Sequence, residues 1–273
     1  VPATQRAVQL TDAYRARLLT IRQQAVAASV TRWQQISARD LNGTFEQWST
    51  TAALVLERAQ ALGAGFSGAY LAGYVSAELG RPTSTQPVDT ARYAGSDSSG
   101  QPLVKAFAGA LITTKIALAQ GRNEAEALRM GRNRAVRVVA TESLAAPRAA
   151  LHDLMTLDEQ IKGWRRVTAA GACGACLASA TGAVERKGDV LRNHRFCRCQ
   201  AEPVVDGVRE TIHRPTGRET FDALTPTEQD LLLGSEKASL IRSGAVPFDA
   251  LIASVPMLHE HDGITESPLA ALT

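Results

Sequence analysis

The chain has 273 residues, of which 45% are hydrophobic and 21% charged, and its net charge is +3. That is enough chain for one large or two modest domains with a real core, and the balance excludes a disordered polyampholyte. So small a net charge gives no bulk reason to expect nucleic acid, and 5% aromatic content with abundant Ala and Arg favours helices packed through small side chains.

Residues 3 to 39 read as one long helix. Leu10, Tyr14, Leu18 and Ile21 recur at helical spacing, while Arg6, Arg15, Arg17 and Arg22 lie off that stripe. Asp40-Leu41-Asn42-Gly43 supplies a turn, and Thr44 is the expected cap of a second helix running to Glu78. Its later part, Leu62 to Leu79, holds Gly63, Gly65, Gly68, Gly73 and Glu78, which reads as a soluble, closely packed helix and not a bilayer span. Nothing at the start reads as an export signal. Residues 81 to 102 are rich in Pro, Gly, Ser and Thr and read as a long irregular loop, either a partner-contacting arm or a linker.

A third helix is expected over Leu103 to Gln120 and a fourth over Asn123 to Leu157, with Glu124 and Glu126 in its first turn and Pro147 kinking or splitting it. Between Lys115 and Arg148 there are seven basic and three acidic residues. Arg129, Arg132, Arg134 and Arg137 spread around the helix, as a solvated face or as a contact for an acidic protein or DNA phosphate. From Trp164 the texture turns to short strands and turns, with Ala201 to Val205 as a strand. Thr225, Pro226 and Glu228 carry the pattern of a capped helix start, and that helix is expected to run through Ile241 to a stop at Gly244.

All four cysteines lie between residues 173 and 199. Cys173-Gly-Ala-Cys176 is followed, after seventeen residues, by His194-Arg-Phe-Cys197-Arg-Cys199. A Cys-x-x-Cys turn brings two thiolates to one point, and Cys197 and Cys199 on an extended segment face one side while Arg198 faces away. Five donors therefore converge where tetrahedral zinc needs about four, so Cys173, Cys176, His194, Cys197 and Cys199 are the candidate metal ligands. The fourth ligand stays open between a thiolate and the imidazole. Disulfides would need an oxidising compartment, and a Cys-x-Cys pair has poor geometry for one. A nucleophilic cysteine with His194 as base has no visible oxyanion partner. The lobe around this cluster has few large apolar residues, so a structural zinc ion would replace a local core. His259 and His261 read as solvated groups of the tail, and no phosphate loop or Gly-x-Ser-x-Gly elbow is present.

Trp164-Arg-Arg-Val, then Ala172-Cys173-x-x-Cys176, then His194-x-x-Cys197-x-Cys199 and Pro203-Val204 resemble the C-terminal portion of the MuF-like minor head proteins of tailed bacteriophages. Thr141-Glu142, on the long helix ahead of the motif, looks like a Thr-Glu often found there in the family, and Phe221 to Leu224 through Ile241 to Gly244 resembles the helix that follows in actinophage members. The likeness spans roughly residues 120 to 250; Arg195 stands where many members have Pro. The resemblance implies a virion component and not an enzyme, made in the host cytoplasm and built into the head near the portal. Its partners would be the portal and major capsid proteins, with packaged DNA a further candidate and no membrane or small-molecule substrate. Many actinophage members are described as capsid maturation proteases, but no protease constellation is found in these residues. A protease and a zinc-containing nucleic-acid binder remain the alternatives.

The expected fold is mainly α: a long helical hairpin or bundle over 1–160 with the loop at 81–102, a zinc-stapled α+β module over 161–210, and C-terminal helices with a tail over 211–273.

Overall fold

The computed structural model describes residues 3–169, 171–191, 197–208 and 213–254. The fold is mainly helical with one small sheet. In chain order it contains α1 (Ala3–Trp33), α2 (Leu41–Leu79), α3 (Leu103–Ala106), α4 (Ala108–Ala119), α5 (Glu124–Leu157), β1 (Ile161–Val167), α6 (Gly174–Ala178), β2 (Glu185–Arg186), β3 (Gln200–Val205), α7 (Gly217–Asp222), α8 (Pro226–Leu233) and α9 (Ser235–Arg242). Short 3-10 turns cover Thr90–Tyr93 and Phe248–Ser254. No helix among the described residues is long and apolar enough to cross a membrane.

The chain divides into two compact units. One comprises residues 10–73 and 84–154, the other 1–9, 74–83 and 155–273. Residues 161–210 and 211–254 therefore fall in the same unit, and the ends of α1 and α2 belong to it as well.

The first unit is built around aromatic and small side chains. Tyr14 and Tyr70 stack with ring centroids 4.3 Å apart. Their hydroxyls are satisfied by Ser67 and Thr11 respectively, each at 2.8 Å. Trp33, Phe45, Trp48 and Phe107 form a second aromatic group. Both indoles of that group donate to backbone carbonyls, Trp33 to Leu128 and Trp48 to Ser29. At Gly131 in α5 a side chain would run into Thr114 of α4 and Trp33, so glycine sets how closely these helices approach.

Several boundaries differ from those expected. α2 starts at Leu41 because Asp40, not Thr44, is its cap: the Asp40 carboxylate accepts from Gly43 N–H at 3.2 Å, while the Thr44 hydroxyl donates to the Asp40 carbonyl. Leu103 to Gln120 is broken at Phe107 into α3 and α4. Pro147 does not split α5. Its ring lies against Gly63 of α2, where a Cβ would sit 3.1 Å from Pro147 Cγ, and its carbonyl accepts from Ser67 at 3.1 Å. Gly234, at φ 82°, separates α8 from α9 where one helix was expected.

The segment 81–102 is held by hydrogen bonds despite its composition. In the first unit, Gln60 bonds both Gly95 N–H and the Ser96 carbonyl, and the Glu142 carboxylate accepts from the backbone and the hydroxyl of Ser98. Tyr93 donates to Asp153 at 2.8 Å. Asp97 caps its own turn by accepting from Ser99 and Gln101.

In the second unit, β1 is the central strand of an antiparallel sheet ordered β2-β1-β3. Pro203, which cannot donate to a ladder, sits on the edge strand β3. The cross-strand partners are Arg165 with Glu202, Arg166 with Ala201 and Val167 with Gln200, and the register shifts between Ile161 and Gly163. An apolar core of Leu177, Phe221, Leu232, Ile241 and Leu251 joins α6 to α7, α8, α9 and the 3-10 turn. At Gly217 a side chain would strike the backbone of Leu177, and its N–H bonds the Ala180 carbonyl at 2.6 Å, so α7 can dock there only as glycine. Thr216 and Thr225 each begin a helix with a capping box, closed by Glu219 and Glu228.

Candidate metal centre

Cys173 stands at the N-cap of α6 in an extended conformation, and its carbonyl accepts from Leu177 N–H at 3.0 Å. Cys176, within the first turn, is thereby rotated onto the side of α6 from which Cys173 approaches. The opposite side of α6 carries Leu177 into the apolar core. Cys197 and Cys199 come from the segment leading directly into β3, where alternation buries both sulfurs and leaves Arg198 half-exposed.

The three buried thiols of Cys176, Cys197 and Cys199 lie within 4.8 Å of one another, each at 3% exposure or less. Cys176 and Cys197 Sγ are 3.5 Å apart. A disulfide holds its sulfurs at ~2.05 Å, whereas a tetrahedral ion with bonds of ~2.3 Å spaces them at ~3.8 Å. The separation matches the second geometry, and all four cysteines are free thiols. Cys173 is half-buried and packs against the other three. The cluster could therefore hold a metal ion. His194 lies outside the described residues, as do His259 and His261.

The electrostatics agree with the donor chemistry. Hydrogen-bonding contacts with Cys173, Cys197 and Cys199, followed by burial, raise the pKa of the Cys176 thiol far above its ordinary value. Cys199 is pushed up to about 12: its contact with Cys176 lowers it, but the contact with Cys197, burial and the Cys197 charge outweigh that. Thiols this crowded cannot all ionise by themselves, and a bound divalent cation reverses that preference.

Sequence reasoning did not single out the charged residues of the sheet. Adjacent positions on a strand point to opposite faces, and directly opposed residues share one. Arg166 therefore shares the face of Ala201 and Cys199, and hydrogen-bonds Cys199. Arg165 points to the other face, where it meets Glu202 at 3.6 Å. Glu202, 1% exposed, also takes a two-pronged contact from Arg214, which reaches on to the Val8 carbonyl. Tyr74 and Glu78 border this network, and burial, then the Glu202 charge, raise the Glu78 pKa. The signal in the sequence was the charge itself: Arg165, Arg166 and Glu202 stand beside apolar residues in the strand segments, and charges must be partnered when buried.

Compared with family models, with curated proteins and with solved structures, the chain finds no match.

Proposed function

We propose that this chain is a structural protein of a phage head, a MuF-like minor head component, whose second unit is stapled by zinc bound through Cys173, Cys176, Cys197 and Cys199. The observation that carries the zinc reading is the buried thiol cluster, drawn from two stretches of chain at tetrahedral spacing. Thiolate-rich tetrahedral sites suit zinc, and a site closed by four protein ligands leaves no position for a reacting water. The ion would contribute folding energy and no chemistry, which accords with a scaffold and not an enzyme. The head-protein reading is supported by the Trp164-Arg-Arg-Val and cysteine pattern described above. In it the helical units would contact the portal and major capsid proteins, with packaged DNA as a further neighbour, in the virion near the portal vertex.

Elemental analysis of natively purified protein tests the first part: about one zinc per chain is expected, and protein free of metal, or with thiols oxidised in pairs, overturns it. The second part is tested by assembling heads with C173S/C176S protein. Loss of the protein from particles is expected, and normal incorporation counts against the role. Specific cleavage of the major capsid protein by this chain would replace the scaffold reading with the protease one.

A further inference from the structure

A zinc ion held by four thiolates carries a net charge of about −2, and a net charge taken out of water needs a counter-charge close by. Within the described residues two arginines are near enough in the chain or the sheet to supply it. Arg198 sits between two of the cysteines, but alternation turns it away from them. Arg166 lies opposite Ala201 on the neighbouring strand, diagonal to Cys199, on the face that carries the thiols. Its hydrogen bond reaches Cys199, and its attraction extends to the sulfurs of Cys197 and Cys176.

We propose that Arg166 is the charge-balancing partner of the metal–thiolate centre, donating a guanidinium N–H···S hydrogen bond from β1 to the Cys199 sulfur. This rests on the zinc reading above and adds a residue from outside the cysteine motifs. The arrangement also couples the sheet to the metal. β3 leads out of the cysteines, β1 pairs with β3, and Arg166 on β1 reaches back to the sulfur. A hydrogen bond to a bound thiolate withdraws charge from sulfur, lowers the energy of the deprotonated form and orients the ligand. Because the arginine acts through Cys199 and not on the ion, it is a positioning residue.

The test uses the full-length protein loaded with Co(II) or Zn(II) in competition with a chromophoric chelator. Wild type must load first, since failure there sinks the zinc reading. Given loading, R166Q is expected to bind ~10–100-fold more weakly, the usual effect of losing an outer-shell partner. Its sulfur-to-cobalt charge-transfer band should move. R166K, which keeps the charge, should recover most of the affinity. R198Q loses the same charge between two ligands and should bind like wild type. An R166Q protein with wild-type affinity and an unmoved band refutes the inference, and so does an R198Q loss equal to that of R166Q. Should R166Q not fold, the wild type still decides. In the cadmium-113 form the Arg166 guanidinium proton should show a coupling to the metal through Cys199, and its absence in fully loaded protein refutes the proposal.

Discussion

Glu202, at 1% exposure, is the most deeply buried charged residue among the described residues of the second unit, and replacing it by glutamine isolates its effect. The side chain is nearly isosteric, so the loss is of charge and not of volume. In the folded protein its carboxylate is 2% exposed and meets Arg165, 10% exposed, and Arg214, 16% exposed. At the 3.6 Å separation from Arg165, an effective dielectric of about 20 gives ~4–5 kcal/mol of attraction. Removing one partner of a buried pair leaves the other unsatisfied, at a typical cost of ~3–5 kcal/mol. E202Q should therefore lose about 3 kcal/mol or more, reduced somewhat by Glu78. Repulsion from Glu202 is the second cause of the raised Glu78 pKa, so in E202Q that group ionises more readily and partly offsets the two arginines. The loss should consequently be larger in the E78Q background than in wild type. The sign with pH follows from the same shift. The folded state holds the Glu78 proton more tightly than the unfolded state, whose value is near 4.5, so stability falls as pH rises from there through the folded value and then levels. E78Q should remove that fall. Urea unfolding of the four proteins of the cycle across pH 4–8 (~0.5-unit steps) measures all of this. A loss in E202Q below ~1 kcal/mol, or one identical in both backgrounds, would show that solvent reaches this network and that its ion pairs count for little.

On the proposed zinc reading, chelation should be selective in its structural effect: removing the metal is expected to expose Trp164, 4% exposed when folded, and shift its fluorescence to the red, while re-adding zinc restores it. Unchanged emission at full metal removal would mean that apolar packing alone holds the lobe. Gly131→Ala should destabilise by ~1–3 kcal/mol through overpacking against Thr114 and Trp33, measured by thermal unfolding. Thr225→Ala should cost ~1 kcal/mol from the lost cap of α8, seen as faster amide exchange there. The carboxyls of Glu219 and Glu228 are held below the ordinary value: backbone and side-chain hydrogen bonding at Thr216 and Thr225, with His213 beside Glu219, favours their charged forms. Their contribution is present above pH ~4.5 and should fade as pH falls through the lowered values, so exchange in α7 and α8 should accelerate in acid.

The elements legible in the sequence were those set by local chemistry. Thr225, Pro226 and Glu228 lie within four residues and dictate the start of α8 with no help from the rest of the chain. The long helices declared themselves by the periodicity of residues such as Leu10, Tyr14 and Leu18. Boundaries set by competition between neighbours were not legible: Asp40 and Thr44 are both competent caps, and only their mutual hydrogen bonding decides between them. Likewise Gly234 ends α8 by adopting a positive φ, whereas Gly131 lies inside α5, where a side chain would strike Thr114 and Trp33. The cysteine cluster was legible because its spacing encodes its geometry. Its surroundings were not, since the five-residue α6 is too short for a periodic signal and its apolar backing comes from Phe221, Leu232 and Ile241, more than forty residues onward. Pairing Arg165 with Glu202 and Arg166 with Ala201 required the strand register, which composition does not contain.

That register has an evolutionary corollary. Two neighbouring arginines serve opposite sides of a ribbon one residue thick, one facing a carboxylate and the other a nest of sulfurs. Trading either arginine disturbs one pocket and spares its counterpart. Losing or gaining a single codon upstream within the strand instead flips the whole ribbon, and both pockets fail together. Natural variants of this segment are therefore expected to tolerate replacement but not length change, with indels displaced into the connections on either side.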